Sequence, residues 1–443
     1  MSDSATARRT PVRAAVASFF GSAVEYYDFF LFGSASALIF PHVFFPDSDH
    51  ASLVMSFATF GVAYVARPVG AVILGHFGDR IGRRRVLLFT LLLMGLSTFA
   101  IGCIPDFSQI GWAAAALLVL CRVLQGLSAA GEQAGASSLT LEHAPDDRRA
   151  FFTSWTLTGT QGGQILAALA LLPVAAVPDE AKYTWAWRIP FWLSAVIVVI
   201  SFLIRRTLSE TPDFERAQNA GTLAKVPVGV LLRDHWRDVV RVILCAFIAV
   251  VSTVLGNLAL AYGVAIGLSQ SLNLYLVLAA NIGAILTQPL WGVLADRIGR
   301  KPVFVYGALS SAVLVPLYML SMGSGNTFLV FVMAVVSFPL AYAAANAVWP
   351  SFYGEMFDTR VRFSGVALGT QLGFLVAGFA PSIVTALGGV GSDGLWVITL
   401  FTGVVCLIAT GSALTARETR SVPTSQLGAP REKAAKRTAT AVA

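Results

Sequence analysis

Long apolar runs, separated by short polar stretches, make up most of this chain. Twelve runs of roughly 20 residues or more can be distinguished, and a helix of that length crosses the ~30 Å hydrocarbon core of a bilayer. The runs are continuous rather than alternating, which favours helices over the strands of a membrane barrel. The predicted spans are 15–40, 51–76, 86–104, 111–141, 151–173, 187–205, 241–265, 274–295, 302–321, 327–350, 363–388 and 395–415.

One long polar stretch, 206–240, divides the predicted spans into two sets of six. The pattern therefore predicts an all-α membrane protein with twelve transmembrane helices in two pseudo-symmetric six-helix bundles, 15–205 and 241–415. A polar tail, 1–14, precedes the first bundle. The basic tail that follows the second bundle, 416–443, is expected to be disordered and to lie near lipid headgroups.

A polar motif in the first half recurs in the second. Gly75-His-Phe-Gly-Asp-Arg-Ile-Gly-Arg-Arg-Arg85 follows the second predicted span, and Gly292-Val-Leu-Ala-Asp-Arg-Ile-Gly-Arg-Lys301 follows the eighth. A repeat after close to half of the 443 residues, in so apolar a chain, is typical of transporters built from duplicated helix bundles. Each half also has one glutamate seven residues before an arginine: Glu142 and Arg149, Glu355 and Arg362.

Composition agrees with a membrane environment. Hydrophobic residues make up 56% of the chain and charged residues 12%, whereas soluble domains carry roughly 25% charged residues. The four cysteines lie within apolar runs and the five histidines lie at span ends or in loops, so neither set predicts a metal site. The first apolar run is too long for the core of a cleavable signal peptide.

The sequence does not predict a nucleotide-binding site. Gly389-Val-Gly-Ser-Asp-Gly394 matches the dinucleotide pattern, but it lies in a predicted loop with no strand before it. The chain has no Gly-Lys-Ser/Thr phosphate loop. We therefore expect no cofactor, no use of ATP and no enzymatic activity.

The distribution of basic residues predicts the orientation. With the N-terminus inside, nearly all of the 31 Lys and Arg residues fall in the tails or in loops on the cytoplasmic side. The positive-inside rule then places both termini in the cytoplasm. The pI near 9.4 could suggest nucleic acid, but the basic residues are spread over several inner loops. We therefore expect the lipid bilayer, and no nucleic acid, as the partner of this surface.

The repeated loop resembles the signature between helices 2 and 3 of the major facilitator superfamily. Arg122-Val-Leu-Gln-Gly126 resembles the proton-linked helix-4 motif of that superfamily. The resemblance implies alternating access between two bundles, which we expect to operate within one monomer. It also implies residence in a bacterial inner membrane.

Further motifs are similar to those of the metabolite–proton symporter family, whose members carry shikimate, dicarboxylates, citrate, proline or betaine. The sequence departs from that family at Tyr26 and Gln133, where tryptophan is frequent. Both positions could line the substrate cavity. The motifs are Val24-Glu-Tyr-Tyr-Asp-Phe29, Ala66-Arg-Pro-Val-Gly70, Gly131-Glu132, Trp187-Arg-Ile-Pro190 and Glu210-Thr-Pro212.

Five ionisable residues lie within predicted spans of the first half: Glu25, Asp28, Arg67, Arg122 and Glu132. A charge at the bilayer centre costs about 2.5–3.5 kcal/mol even on lenient scales, so these groups must face each other or water. One interpretation is an internal ion-pair network that holds helices 1, 2 and 4 together. The other is proton carriage and substrate contact, and the two can coexist.

We favour Asp28 as the main proton carrier, with Glu132 second and Glu25 third. Arg122 and Gln125 are expected to bind a substrate carboxylate, because a guanidinium presents a planar fork that matches it. Alternatively, Glu25 or Asp28 neutralises Arg122 and no ligand reaches it. Other substrate candidates in the first half are Tyr26, Tyr27, Gln133 and Arg67.

The spans of the second half contain no charge near mid-membrane, only neutral polar residues. They are candidates for substrate contact, with hydrogen bonding between helices as the alternative for each one. These residues are Asn257, Tyr262, Asn281, Gln288, Tyr342, Asn346 and Gln371.

The repeated loops predict a cytoplasmic gate. Asp79 is expected to join Glu142 and Arg149 in one ion-pair cluster. The second half would hold a copy of that cluster, and solvated surface charge is the alternative interpretation. The loop residues assigned to the gate are Gly75, Asp79, Arg80, Gly82, Arg83, Asp296, Arg297, Gly299 and Arg300, and the copy consists of Asp296, Glu355 and Arg362.

Together these observations favour a secondary transporter that imports a small organic acid in symport with protons. The acid would be shikimate-like, or a mono- or dicarboxylate. The alternatives are a proline- or betaine-type osmolyte symporter and, behind it, a proton antiporter or a non-transporting membrane receptor.

Overall fold

The structure is a computed structural model, and it describes residues 2–45, 49–81, 83–129, 132–205, 231, 233–358, 361–390 and 394–428. Every regular element among these residues is helical. The spans of the first half are α1 (Ser2–Leu38), α2 (Asp49–Ile81), α3 (Arg83–Cys103), α4 in two pieces (Trp112–Ser128 and Glu132–His143), α5 (Arg149–Ala176) and α6 (Arg188–Arg205).

The second half repeats this arrangement with six further helices. Its spans are α7 (Trp236–Ala265), α8 (Gln270–Ile298), α9 (Arg300–Met322), α10 (Thr327–Gly354), α11 (Arg362–Ala386) and α12 (Leu395–Thr415). Each of the twelve predicted runs therefore corresponds to one helical span.

Eight of the described helices are long and apolar enough to cross a membrane by themselves. The other four spans carry polar ends or interruptions, as at the basic start of α1 and at the break within α4. Side-chain caps define two loop ends in the second half. Ser269 accepts a hydrogen bond from the Leu272 amide (3.2 Å), and Asn326 accepts one from the Leu329 amide (3.1 Å), which satisfies amides that a helix start leaves unpaired.

Several pairs of helices bring the two halves into contact. The main contacts between halves join α5 to α8 and α2 to α11, with α1 against α7 and α4 against α10. Small residues allow the close approach: a Cβ added at Gly292 of α8 would lie 2.9 Å from the Ala150 carbonyl of α5. The inter-half face, meaning the surface between α1–α6 and α7–α12, is therefore closed by packed side chains in this conformation.

Two spans of the second half contain a π-helical turn. One turn is Val254–Leu258 in α7, and the other is Phe338–Tyr342 in α10. A π-helical turn inserts one residue into the hydrogen-bond ladder and often occurs at functional sites. Both turns lie on helices that face the first half.

The contact between α1 and α5 provides a test of this packing. A Cβ at Gly163 would lie 2.7 Å from the Ala23 carbonyl, whereas a Cβ at the neighbouring Gly162 would meet its nearest atom at 3.6 Å. We expect Gly163→Ala to destabilise the purified protein by about 1–3 kcal/mol, because overpacking forces the backbones apart. Gly162→Ala is the matched control and should leave the melting temperature nearly unchanged. Equal melting temperatures for the two variants would contradict the observed α1–α5 contact.

Candidate functional site

Arg122 lies inside the first half, fully buried. Its Nη1 donates to Gln125 Oε1 (2.7 Å) and its Nη2 to the Phe60 carbonyl (3.0 Å). The guanidinium carbon is 3.9 Å from the Phe32 ring centroid and 4.8 Å from that of Phe29, so aromatic faces supply part of its electrostatic stabilisation. All these partners belong to the first half.

Hydrogen bonds extend from Arg122 toward Asp28. Gln125 Nε2 donates to Thr98 Oγ1 (2.7 Å), and the Thr98 hydroxyl donates to the Met94 carbonyl (3.0 Å). The Thr98 side chain also lies near Asp28. Asp28 is 4% exposed. No direct ion pair joins Arg122 and Asp28 among the described residues. Two neutral side chains, Gln125 and Thr98, lie between them instead, and we call this arrangement the relay. Sequence reasoning did not select Thr98, because nothing separates it from other threonines of apolar helices.

Asp28 shares a small cavity with Glu25. The cavity lies between α1, α3, α4 and α6, and Thr90, Met94 and Ser128 complete its polar and apolar wall. The spacing of three residues on α1 places the two carboxylates on the same side, as the sequence predicts. The side chain of Glu132, the third proton-carrier candidate, lies outside the described residues.

Arg67 occupies a second polar position in the first half. It is 2% exposed, and its guanidinium carbon lies 4.4 Å from the Phe29 ring centroid and 4.9 Å from that of Tyr64. Its Nε and Nη2 have no hydrogen-bond partner among the described residues. Tyr26 lies within hydrogen-bonding range of Arg67 and donates its hydroxyl to Gln133 Oε1 (2.7 Å).

Tyr27 has a structural role in this conformation. Its hydroxyl donates to the Pro190 carbonyl (2.8 Å), which joins α1 to the start of α6. In the same Trp187-Arg-Ile-Pro190 motif, Arg188 Nη1 donates to the carbonyls of Gly102 (2.9 Å) and Ile104 (2.5 Å) and so caps the end of α3. The structure therefore explains this motif by packing of α1, α3 and α6.

Polar side chains of α10 lie across the inter-half face from this region. The Tyr342 hydroxyl and Trp349 Nε1 both donate to Asn346 Oδ1, at 3.1 and 3.2 Å. Tyr342 is close enough to Tyr64 of α2 for the two hydroxyls to interact electrostatically. Tyr262, by contrast, lies near the end of α7 that is remote from the repeated loops.

Several buried carboxamides along this face have unused hydrogen-bonding atoms. An unsatisfied buried polar atom costs about 1–3 kcal/mol, so these carboxamides are candidates for contact with water or a polar ligand. Among the described residues the atoms are Gln161 Oε1, both polar atoms of Gln164, Asn257 Oδ1, Asn281 Oδ1, both polar atoms of Gln288, and Gln371 Oε1.

Gln164 of α5 and Asn281 of α8 line one cavity between the two halves. Gly256, in the π-helical turn of α7, lies directly against the Gln164 amide, and Tyr318 and Ser337 form other parts of the wall. Sequence reasoning predicted Asn281 here but missed Gln164 and Gln161. Both could have been selected from the sequence, since they are polar residues within the apolar run of α5.

The gate end of the molecule is the end at which α2, α4, α8 and α10 finish. Here Arg149 Nε lies 2.9 Å from Glu355 Oε1, with both side chains fully buried, and Arg362 Nη1 lies 3.2 Å from Glu142 Oε1. The sequence-based prediction placed each pair within its own half. The structure instead exchanges the partners, so that both pairs connect the first half to the second.

Asp296 contributes a further link between the halves. Its two carboxylate oxygens accept hydrogen bonds from the Ala150 and Phe151 amides, at 3.0 and 2.9 Å, and so cap the start of α5. Arg300 lies 3.1 Å from Asp296 and 3.2 Å from Glu355. Gly299 takes φ +114°, a left-handed value that favours glycine, at the turn into α9.

The structure describes the remaining gate residues only in part. Arg297 lies in the last turn of α8 with no ion pair among the described side chains. Gly82 and the side chains of Asp79, Arg80 and Arg83 lie outside the described residues. Gly75 lies within α2.

A segment after α12, 417–428, fastens the gate end; we call it the strap. Glu418 accepts hydrogen bonds from the Arg300 and Lys301 amides (3.1 and 2.9 Å) and caps α9. The carbonyls of Thr419 and Val422 accept from Arg149 Nη2, at 3.1 and 2.9 Å. This differs from the disorder expected for the tail, of which 429–443 lies outside the described residues.

The strap also contacts the loop between α4 and α5. The Thr424 hydroxyl donates to Asp146, which accepts from the Thr424 amide as well (3.2 Å). The hydrogen bond from the hydroxyl is the main cause that lowers the pKa of the Asp146 carboxyl. Because Asp146 belongs to the first half and Glu418 binds the second, the strap bridges the two halves.

Known protein families match both halves of the chain. A family described as "Sugar (and other) transporter" matches residues 14–226, and one described as "Major Facilitator Superfamily" matches residues 257–442. These two matches leave residues 1–13, 227–256 and 443 uncovered.

Relatives match over nearly the full chain. The inner membrane metabolite transport protein YhjE of Escherichia coli K12 is 36% identical over 402 residues, covering 86% of this chain and 90% of that protein. The shikimate transporter of the same strain is 34% identical and covers 92% and 95%. Its proline/betaine transporter is 30% identical and covers 93% and 84%.

Solved structures show the same fold. The xylose transporter XylE from E. coli, in a partially occluded inward-open conformation, superposes with a TM-score of 0.68 at 16% identity, covering 93% of this chain and 99% of that one. A D-xylose–proton symporter superposes with a TM-score of 0.68 at 18% identity, covering 89% and 96%. Both comparisons support two six-helix halves.

The central position of Glu355 predicts its effect on the gate end. Burial raises the pKa of the Glu355 carboxyl, and the adjacent guanidiniums of Arg300 and Arg149 oppose this rise. Removing one partner of a buried ion pair costs about 3–5 kcal/mol, because the remaining charge is uncompensated. We expect Glu355→Gln to open the gate end and to speed labelling of a cysteine introduced at the buried Ser154 by a polar maleimide.

Asp147→Asn is the control for this experiment, since it removes a carboxylate of the neighbouring loop whose side chain is 79% exposed. It should leave the labelling rate unchanged. An unchanged rate in Glu355→Gln would show that the closed gate end does not depend on this carboxylate.

Proposed function

Because the chain belongs to the major facilitator superfamily of membrane transporters, we propose that it imports a small organic acid together with protons by alternating access. Like its relatives, the chain is a multi-pass transporter of metabolites and not an enzyme. Substrate class, proton coupling and direction are the parts that we propose. They rest on the arrangement of charges in the first half.

The relay from Asp28 to Arg122 is the observation that carries the proposal. Asp28 is buried in the membrane region, where an ionised carboxylate is costly unless a partner compensates it. Taking up a proton removes that charge and changes which hydrogen bonds Thr98 and Gln125 can make. The relay therefore transmits the protonation state of α1 to the guanidinium of α4 and to the Phe60 carbonyl of α2.

Alternating access follows from the links at the gate end. The pairs Arg149–Glu355 and Arg362–Glu142 join opposite halves, so the gate end opens only when both separate. We assign this end to the cytoplasm because the basic loops lie there. The closed inter-half face then corresponds to a state in which a substrate inside the protein has no path to the cytoplasm.

Two buried arginines in the first half and neutral carboxamides in the second favour a substrate with an anionic end and a neutral polar end. Hydroxylated carboxylic acids fit this division. The names of two relatives, a shikimate transporter and a proline/betaine transporter, are compatible with a carboxylate in the substrate. One observation favours the zwitterionic alternative: Trp349 and Tyr353 stack with ring centroids 5.3 Å apart on α10, and aromatic faces attract quaternary ammonium groups.

Uptake into proteoliposomes tests the function. The purified chain is reconstituted with an inward proton gradient and offered shikimate, succinate, proline and glycine betaine, each labelled. We expect accumulation of shikimate or succinate above the outside concentration, and loss of accumulation when an ionophore collapses the gradient. Accumulation of glycine betaine alone would support the zwitterionic alternative. Uptake that does not depend on the proton gradient would contradict proton coupling.

The Asp28→Asn variant tests the proton path. It keeps the size of the side chain but cannot ionise, so we expect gradient-driven accumulation to fall to the equilibrium ratio of about one, since the coupling step is lost. Exchange of labelled for unlabelled substrate should continue, because exchange does not require release of the proton. Asp179→Asn, which removes a loop carboxylate whose side chain is 78% exposed, is the control. Full accumulation by Asp28→Asn would place the proton elsewhere.

A further inference from the structure

Two buried arginines of the first half, Arg67 and Arg122, lie against the same aromatic ring. The guanidinium carbons of Arg67 and Arg122 are 4.4 and 4.8 Å from the Phe29 ring centroid. They belong to neighbouring helices and are both almost completely buried. Their hydrogen bonding nevertheless differs, and this difference separates their roles.

Arg122 is satisfied within the first half. Both of its terminal nitrogens donate to described partners, Gln125 and the Phe60 carbonyl, and only Nε is unused. Three phenylalanine rings enclose the guanidinium, the third being Phe60 at 5.3 Å. A substrate carboxylate could reach Arg122 only by displacing these partners.

Among the described residues, no group forms a hydrogen bond with one complete edge of the Arg67 guanidinium. Its Nε and Nη2 lack partners among the described residues. These two nitrogens lie on the same edge, so their N–H groups point in parallel. That edge matches the two oxygens of a carboxylate, which can accept both hydrogen bonds at once. An arginine that is 2% exposed and has this edge free is a prepared anion site.

The surroundings of Arg67 place it at the inter-half face. Its guanidinium lies against the Tyr64 ring, and that ring packs on α11 at Gly378, where an added Cβ would be 2.7 Å from Tyr64 Cγ. Tyr342 of α10 lies near Tyr64 from the opposite half. Tyr26, beside Arg67, donates to Gln133. Arg67 therefore borders the second half, whereas the partners of Arg122 all belong to the first half.

We infer that Arg67, rather than Arg122, binds the carboxylate of the substrate, through its free Nε–Nη2 edge, and that Arg122 acts in the proton relay. This inference rests on the proposed function, and it assigns to Arg67 the carboxylate contact that the sequence analysis predicted for Arg122 and Gln125. Tyr26, Tyr64 and Gln133 then form the rest of the anion end of the site. The ligand class is a small carboxylic acid whose anionic group faces α2.

This assignment is tested by removing the charge of Arg67 through substitution and the charge of the ligand through esterification. The probes are shikimate, succinate and their methyl esters, and the readout is the thermal shift of the purified chain as a function of probe concentration. In the wild type we expect the acid to bind more tightly than its ester by about 10- to 100-fold, the range for hydrogen bonds to a charged group. In Arg67→Gln the acid and the ester should bind equally, at the affinity of the ester.

Two further variants separate the roles. Arg67→Lys keeps the charge without the parallel donors, so part of the preference for the acid should remain. Arg122→Gln should keep the preference for the acid while losing gradient-driven accumulation in proteoliposomes. Binding of the ester by every variant shows that the site is folded.

The outcomes are distinct. If Arg67→Gln keeps the preference for the acid, or if Arg122→Gln loses it, the assignment of Arg67 is wrong while the proposed function stands. If Arg67→Gln loses acid and ester alike although the chain remains folded, Arg67 is structural and the assignment is also wrong. If neither acid shifts the wild-type chain, the proposed function itself fails.

Discussion

Charge inside an apolar solvent is the constraint on which this structure depends. Lipid and packed side chains cannot hydrate an ion, so every buried ionisable group requires a partner, a polar network or a ligand. At the gate end the protein meets this requirement with ion pairs such as Arg149–Glu355, in which neither side chain is exposed. In the first half it uses aromatic rings and carboxamides around Arg122. The same requirement thus determines both the links between the halves and the chemistry within one of them.

The links at the gate end make the closed arrangement a discrete state. When a buried ion pair begins to separate, its charges lose their mutual attraction before water can hydrate them. Partly open arrangements of the gate end are therefore disfavoured. Asp296 adds the cost of exposing the first amides of α5. Opening therefore requires water to enter several sites together, which gives the two-state behaviour that alternating access needs. A surface with single, solvated ion pairs could not produce such a switch.

The fold could be predicted from the sequence because its signal is local. Each apolar run had the length of a span, and all twelve became helical spans. The ends lie within about five residues of the predicted ones except at the start of α1, where the helix begins at Ser2 and includes the predicted tail. The exchange of partners at the gate end could not be predicted in this way. Glu142 and Glu355 occupy equivalent positions in two similar halves, and sequence spacing is the same whether each pairs with its own arginine or with that of the other half.

The difference between the two buried arginines was also beyond the sequence. Arg67 and Arg122 are the same residue type on apolar helices, and only the direction of each guanidinium shows which one has a free edge. The strap was missed for another reason. Its residues are polar and few, as in a disordered tail, and the partners that order them lie far away along the chain. Tertiary contacts, rather than local propensity, decide both cases.

The strap has a consequence for biosynthesis. Thr419 and Arg149, which form one of its hydrogen bonds, are 270 residues apart in sequence. Arg149 therefore leaves the ribosome long before the carbonyls that complete its coordination exist. While the second half is being inserted into the membrane, the first half lacks the hydrogen bonds between Arg149 and the strap. The strap, which is translated after both halves, adds its hydrogen bonds to the ion pairs of the gate end, so a chain that stops before residue 417 lacks these contacts.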